Sequence, residues 1–108
     1  MELSSLSAEI RDVCEKRSEA SAKFGYATAT ELARVLADID ASDTYTDFDL
    51  LFGGQISDLS DSEKCFQMKN GKIRFRSGHP KNLGATPAAT DWPTVTRIMI
   101  TAIETSDA

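Results

Sequence analysis

The stretch Lys64-Cys-Phe-Gln-Met-Lys-Asn-Gly-Lys-Ile-Arg-Phe-Arg-Ser-Gly-His-Pro-Lys81 carries the strongest structural signal in the chain. Phe66 and Met68 alternate with polar neighbours, and beyond Asn70-Gly71 the alternation resumes as Ile73 and Phe75 against Lys72, Arg74 and Arg76. A period of two puts successive side chains on opposite faces of a strand. Asn-Gly suits a type I′ turn because both of its central residues need positive φ. The stretch therefore predicts a β-ribbon with one apolar face and one face bearing three cations. Such a row fits a binding face, and it equally fits the solvated side of a hairpin.

Downstream, Ser77 to Pro93 reads as a long loop punctuated by Gly78, Pro80, Gly84, Pro87 and Pro93. Val95 to Ile103 then predicts a strand apolar on both faces, with Ile98, Ile100 and Ala102 against Val95, Met99 and Ile103. A strand of that kind belongs inside a sheet.

Upstream the period changes. Met1 to Leu6 fits either an opening strand or a lead-in to a helix. Ser7 is a candidate N-cap, and Ile10, Val13, Cys14 and Arg17 follow at helical spacing. Asp12 with Lys16 and Glu19 with Lys23 are acid-before-base pairs four apart. Gly25 breaks the run, and Leu32, Val35, Leu36 and Ile39 mark a second buried stripe, so the two helices form a hairpin. Thr46 to Asp49 resembles a capping box ahead of Leu50, Leu51 and Phe52, and Asp58 to Glu63 reads as an exposed loop. The expected fold is α+β: one domain spanning residues 1–108, with a helical hairpin packed on a small, mostly antiparallel sheet of about four strands.

Charge divides the chain unevenly. Residues 1–63 hold fourteen acidic and five basic side chains, whereas residues 64–108 hold three acidic and seven basic ones. The formal net charge of −5 argues against nucleic acid as a partner for the whole chain, yet it conceals the local basic strip. No apolar run approaches the roughly 20 residues needed to cross a bilayer. Met1 to Ser7 lacks the features of a signal peptide, so a cytoplasmic location is expected. Cys14 and Cys65 stand in no metal or redox spacing and read as reduced thiols, while a single histidine leaves no basis for a zinc site.

His79 is the obvious proton carrier, or else an anchor that ties the loop to backbone. Lys81 extends the positive strip, and Asn82 can bind a carbonyl or a phosphate. Arg97 is either a phosphate contact or the partner of an acid from the helical half. Trp92 either stacks on a base or packs at the edge of the core.

Taken in order, Leu51-Phe-Gly-Gly54, Asn70 to Phe75, Gly78-His-Pro80, Asp91-Trp92 and Val95-Thr-Arg-Ile-Met-Ile100 resemble the RelE/ParE toxin superfamily, in its HigB-like, killer-type branch. Arg11 to Glu15 and the helix ending Leu-Ala-Asp-Ile39 fit the same pattern, so the resemblance covers nearly the whole chain. It implies the toxin half of a toxin–antitoxin pair, neutralised by a cognate antitoxin protein, with mRNA on the ribosome as one possible target. The implied activity is metal-independent endoribonuclease action without a cofactor. His79, Lys72 and Arg74 would be catalytic, and Arg76, Lys81 and Arg97 would bind RNA. The alternative is a non-catalytic relative that binds protein or RNA. The chain departs from ribonuclease members in three ways. Lys72 stands for an arginine, Gly71 for an aromatic, and the end Ile103-Glu-Thr-Ser-Asp-Ala108 has no Tyr or His. His79 would then cover both proton steps.

Overall fold

The computed structural model describes residues 1–86 and 88–105. In chain order these form β1 (Glu2–Ser5), α1 (Ala8–Glu15), α2 (Arg17–Phe24), α3 (Tyr26–Ala41), α4 (Tyr45–Phe52), β2 (Ile56–Asp58), β3 (Glu63–Gln67), β4 (Gly71–Ser77) and β5 (Arg97–Thr105). Short 3₁₀ turns lie at Gly53–Gln55, Pro80–Asn82 and Trp92–Thr94. Pro87, named above among the loop markers, and residues 106–108 of the chain's end lie outside the described residues.

Ser7 caps α1, its hydroxyl accepting from the Ile10 N–H at 3.2 Å. The single helix expected between Ser7 and Gly25 is two, because Lys16 adopts an extended conformation (φ −115°, ψ 109°). The break lets α1 bury Val13 against β1 and β5 while α2 turns to bury Ala20 against α3. It also reassigns a predicted ion pair: Lys23 pairs with Glu9 across the bend instead of with Glu19. The Asp12–Lys16 pair forms, at 3.8 Å. Gly25 joins α2 to α3 at φ +86°, a conformation that a side chain would strain. The α3 stripe of Leu32, Val35, Leu36 and Ile39 is buried. The cap of α4 is Thr44, not Thr46; its hydroxyl accepts from the Asp47 N–H, and the helix runs two turns.

The sheet has five strands in the order β1-β5-β4-β3-β2, antiparallel except for β1 with β5. The additional strand is β2, three residues at the edge within a stretch too short to show a period. β5 is paired on both sides, as its two-sided apolar character predicts. It starts at Arg97, leaving Val95 before it, buried and accepting from the Tyr45 N–H through its carbonyl. Pairing steps from Phe75↔Ile100 to Arg74↔Ala102, so Thr101 is an extra residue. A bulge of this kind reverses the alternation beyond it. Ile103 therefore joins Ile98 and Ile100 on the helix side, opposite Ile73, while Ala102 lies opposite Arg74 on the other face.

The β3–β4 turn also differs from expectation. No non-glycine residue among those described has positive φ, and Gly25 is the only such glycine, so the turn is not type I′. Its tip is Lys69-Asn70, closed by the Met68 N–H donating to the Gly71 carbonyl at 2.8 Å. The Glu31 carboxylate of α3 accepts from the Lys69 and Asn70 N–H groups at 2.7 and 3.3 Å. Those contacts supply from the helical layer what a pair of positive-φ residues would have supplied locally. Gly71 serves another purpose: a Cβ there would collide with the Glu104 carbonyl oxygen, so its absence lets β5 approach β4.

One core joins the layers. Leu32, Val35, Leu36 and Ile39 from α3 and Tyr45 and Phe48 from α4 pack with Phe66, Ile73, Phe75, Ile98 and Ile100 from the sheet. No helix among the described residues is long and apolar enough to cross a membrane.

Candidate functional site

Because the helices cover one face of the sheet, the alternation along β4 delivers Lys72, Arg74 and Arg76 to the other. The register sets Lys72 between Gln67 and Glu104, Arg74 between Cys65 and Ala102, and Arg76 between Glu63 and Met99. The three cations predicted from sequence are therefore neighbours on one surface. Each has a partner within the chain.

Glu104 serves two of them. Its Oε2 lies 3.5 Å from Lys72 Nζ and its Oε1 3.2 Å from Arg74 Nε. The Arg74 Nε–H is buried without an acceptor in line, so this contact is an ion pair and not a hydrogen bond. Arg76 donates from Nη2 to the Asn82 carbonyl at 2.8 Å. Glu63 accepts from the Thr101 hydroxyl at 3.1 Å, spanning β4, and the bulge is what brings Thr101 into reach. Cys65 is buried beneath this layer, and desolvation pushes its thiol up despite the opposing influence of Lys72 and Arg74.

The remaining predicted site residues lie at the far end of the face. His79 Nε2 accepts the Thr96 N–H at 3.0 Å, and the Gly78 N–H donates to the Arg97 carbonyl at 2.8 Å. The imidazole thus takes the anchoring alternative, pinning the start of the long loop to the start of β5. Arg97 pairs with an acid of the first half, Glu2, at 2.9 Å, though that acid comes from β1 and not from a helix. Lys81 is exposed and makes no ion pair among the described residues.

Asn82 takes the carbonyl alternative. It is 2 % exposed; its Oδ1 accepts from the Ser77 hydroxyl at 2.7 Å, and its Nδ2 donates to the Ala88 and Ala89 carbonyls at 2.9 and 3.4 Å. A buried amide needs such partners, and these contacts satisfy it while tying the loop's return leg to Ser77. Trp92 packs against Tyr45 and Phe75 at centroid distances of 4.9 and 6.0 Å and donates its indole N–H to the Asp61 carbonyl at 3.2 Å. Lys64, first of the basic strip, is on the helix side, 5.0 Å from the Trp92 ring centre and paired with Asp58. Both cysteines are free, and burial pushes Cys14 up as well. Among the described residues no group of three or more His, Cys, Asp or Glu side chains could hold a metal ion.

Glu104 and Thr96 are the residues that sequence reasoning did not single out. A carboxylate facing Lys72 could be read from the chain only once the Thr101 bulge was known. A backbone N–H that engages His79 leaves no trace in the identity of residue 96. Chemically, the face offers half-exposed cations to a polyanion. It does not offer an imidazole with Nε2 free. Comparison with family models, with curated proteins and with solved structures returns no match for this chain.

Proposed function

We propose that the chain is a RelE/ParE-type toxin of the HigB-like kind, cytoplasmic and paired with an antitoxin, and that its open sheet face binds RNA without cutting it. The ordered motifs from Leu51 to Ile100 and the α+β layer arrangement support the superfamily reading. The non-catalytic form rests chiefly on one observation: the Thr96 N–H occupies Nε2 of the only histidine in the chain. Cleavage through a 2′-hydroxyl needs a base to take its proton and free donors to meet the charge growing on phosphate. Here the base is engaged, and Lys72 and Arg74 share a carboxylate. Binding asks for less. Half-exposed cations still attract a polyanion over the range set by screening, releasing counterions as it docks.

Endoribonuclease action is the second reading, favoured by the adjacency of Lys72, Arg74 and Arg76 on β4. Surface ion pairs are worth up to about 1 kcal/mol, so an RNA phosphate could displace Glu104 at little cost. Two measurements separate the readings. Purified protein should retain single-stranded RNA in a gel shift that weakens steeply with salt, leaving the RNA intact. Expression in a bacterial host should arrest growth, and the arrest should survive His79→Ala. RNA fragments that disappear in the His79→Ala and Arg74→Ala double variant would replace the binding reading with the nuclease one. Absence of both RNA binding and growth arrest would sink the two together.

A further inference from the structure

A second charged surface lies on the helix side of the sheet, away from the cations of β4. From Val35 to Asp61 the chain has no basic residue and seven carboxylates. Among the described residues only Asp58 of these forms an ion pair, with Lys64. In the middle of this acidic belt, α4 turns Leu50 and Leu51 outward, 79 % and 74 % exposed. The opposite side of the helix explains why. Tyr45 and Phe48 are buried against the sheet, and Phe52 packs on Phe48 and Phe66. Helical spacing then leaves Thr46, Asp47, Leu50 and Leu51 on one continuous outer face.

Single exposed leucines are ordinary on protein surfaces. Two adjacent ones amid unneutralised carboxylates combine a short-range apolar contact with a long-range negative field. We infer that this face of α4 docks a cationic amphipathic segment of another protein. The segment's apolar side chains cover Leu50 and Leu51, and its lysines or arginines meet Asp43, Asp47 and the neighbouring carboxylates. Charge complementarity selects this occupant. A second copy of the chain would bring the same acidic belt against itself in a twofold contact. An anionic bilayer would be repelled. The surface is independent of the RNA reading, because α4 and the β4 cations lie on opposite sides of the sheet.

The test uses the full chain and a synthetic amphipathic helix of lysine and leucine. One control peptide carries glutamate for lysine, and another carries serine for leucine. Amide chemical shifts should move around residues 44–55 with the lysine–leucine peptide only. The double substitution L50S/L51S should weaken that binding by roughly tenfold or more, as loss of a central apolar anchor does. Asp43→Asn with Asp47→Asn should lower the affinity and flatten its salt dependence. Circular dichroism and thermal melting should leave these variants folded like the parent, since all four side chains are exposed. Equal binding by L50S/L51S, or shifts confined to another surface, overturns the inference. So does a self-associating parent that becomes monomeric in L50S/L51S. RNA retention by L50S/L51S keeps the fate of this surface distinct from that of the open face.

Discussion

The two faces of β4 are held by different physics. On the helix side Ile73 and Phe75 are 0 % and 1 % exposed, locked among Tyr45, Trp92 and the α3 stripe. On the open side the Lys72 and Arg74 side chains keep 41 % and 39 % of their surface and share one carboxylate that is itself 41 % exposed. The first set of contacts cannot be exchanged for anything in water without exposing apolar area. The second can be exchanged for any anion of suitable shape. One strand therefore carries the fold on one side and a ligand-responsive layer on the other, and substitutions on the two sides should report separately.

The largest contrast comes from paired truncations. Phe75→Ala should lower unfolding free energy by about 3–5 kcal/mol, as large-to-small changes in a close-packed core do. Arg74→Ala, at the adjacent residue on the other face, should cost no more than about 1 kcal/mol. Urea midpoints measure both, and similar losses would break the distinction drawn between the faces. Next in size is Asn82→Ala, which strands the buried Ser77 hydroxyl, cuts the tie to the Ala88 carbonyl and should cost about 1–3 kcal/mol. Amide exchange should quicken around residues 77–84 while the α3 core stays protected. Unchanged protection there would mean the loop is held by other contacts.

Alkaline pH sharpens the comparison further. Burial pushes Cys14, Cys65 and Tyr45 above their ordinary values of 9.0, 9.0 and 10.0. Between ordinary and folded values the unfolded chain has lost protons that the native chain keeps, so stability falls as pH rises. Below about pH 8 these groups contribute no pH dependence, because both states hold the proton. Urea midpoints should drop from pH 8 upward, less steeply in Cys65→Ala and, past pH 10, in Tyr45→Phe. A midpoint that climbs over that range contradicts the burial account. The smallest effect on stability belongs to Glu104→Gln, under about 1 kcal/mol because the pair is exposed. Its effect on ligand should be the reverse of small. Freed of their carboxylate, Lys72 and Arg74 should raise RNA affinity and steepen its salt dependence by about 0.7 in log–log slope for each added phosphate contact. No change in either quantity would remove these two cations from the interface.

Much of the fold was legible because local periodicity reflects burial. The alternation around Ile73 and Phe75, the α3 stripe and the two-sided β5 all survive in three dimensions. The errors share a cause. The helix break at Lys16, the reversal of alternation at Thr101, and the turn tip at Lys69-Asn70 each answer to a distant element: α3 for the first and last, the β4 register for the second. At the site, the grouping of Lys72, Arg74 and Arg76 was readable from a period of two. The partners Glu104, Thr96 and Glu2 were not, because pairing across strands depends on registers set tens of residues away.

By itself, the order of residues determined which side chains share a face, how the charge divides near residue 63, and that helices and a ribbon would form. These follow from spacing along one chain, where hydrophobic burial acts on every third, fourth or second residue. Only the tertiary structure decided that β1 lies parallel to β5, that a bulge carries Thr101 to Glu63, and that one carboxylate holds two cations while a backbone N–H holds the imidazole. Ion pairs and hydrogen bonds act over a few ångströms. Which groups come that close is set by the packing of the layers and not by any repeat in the chain.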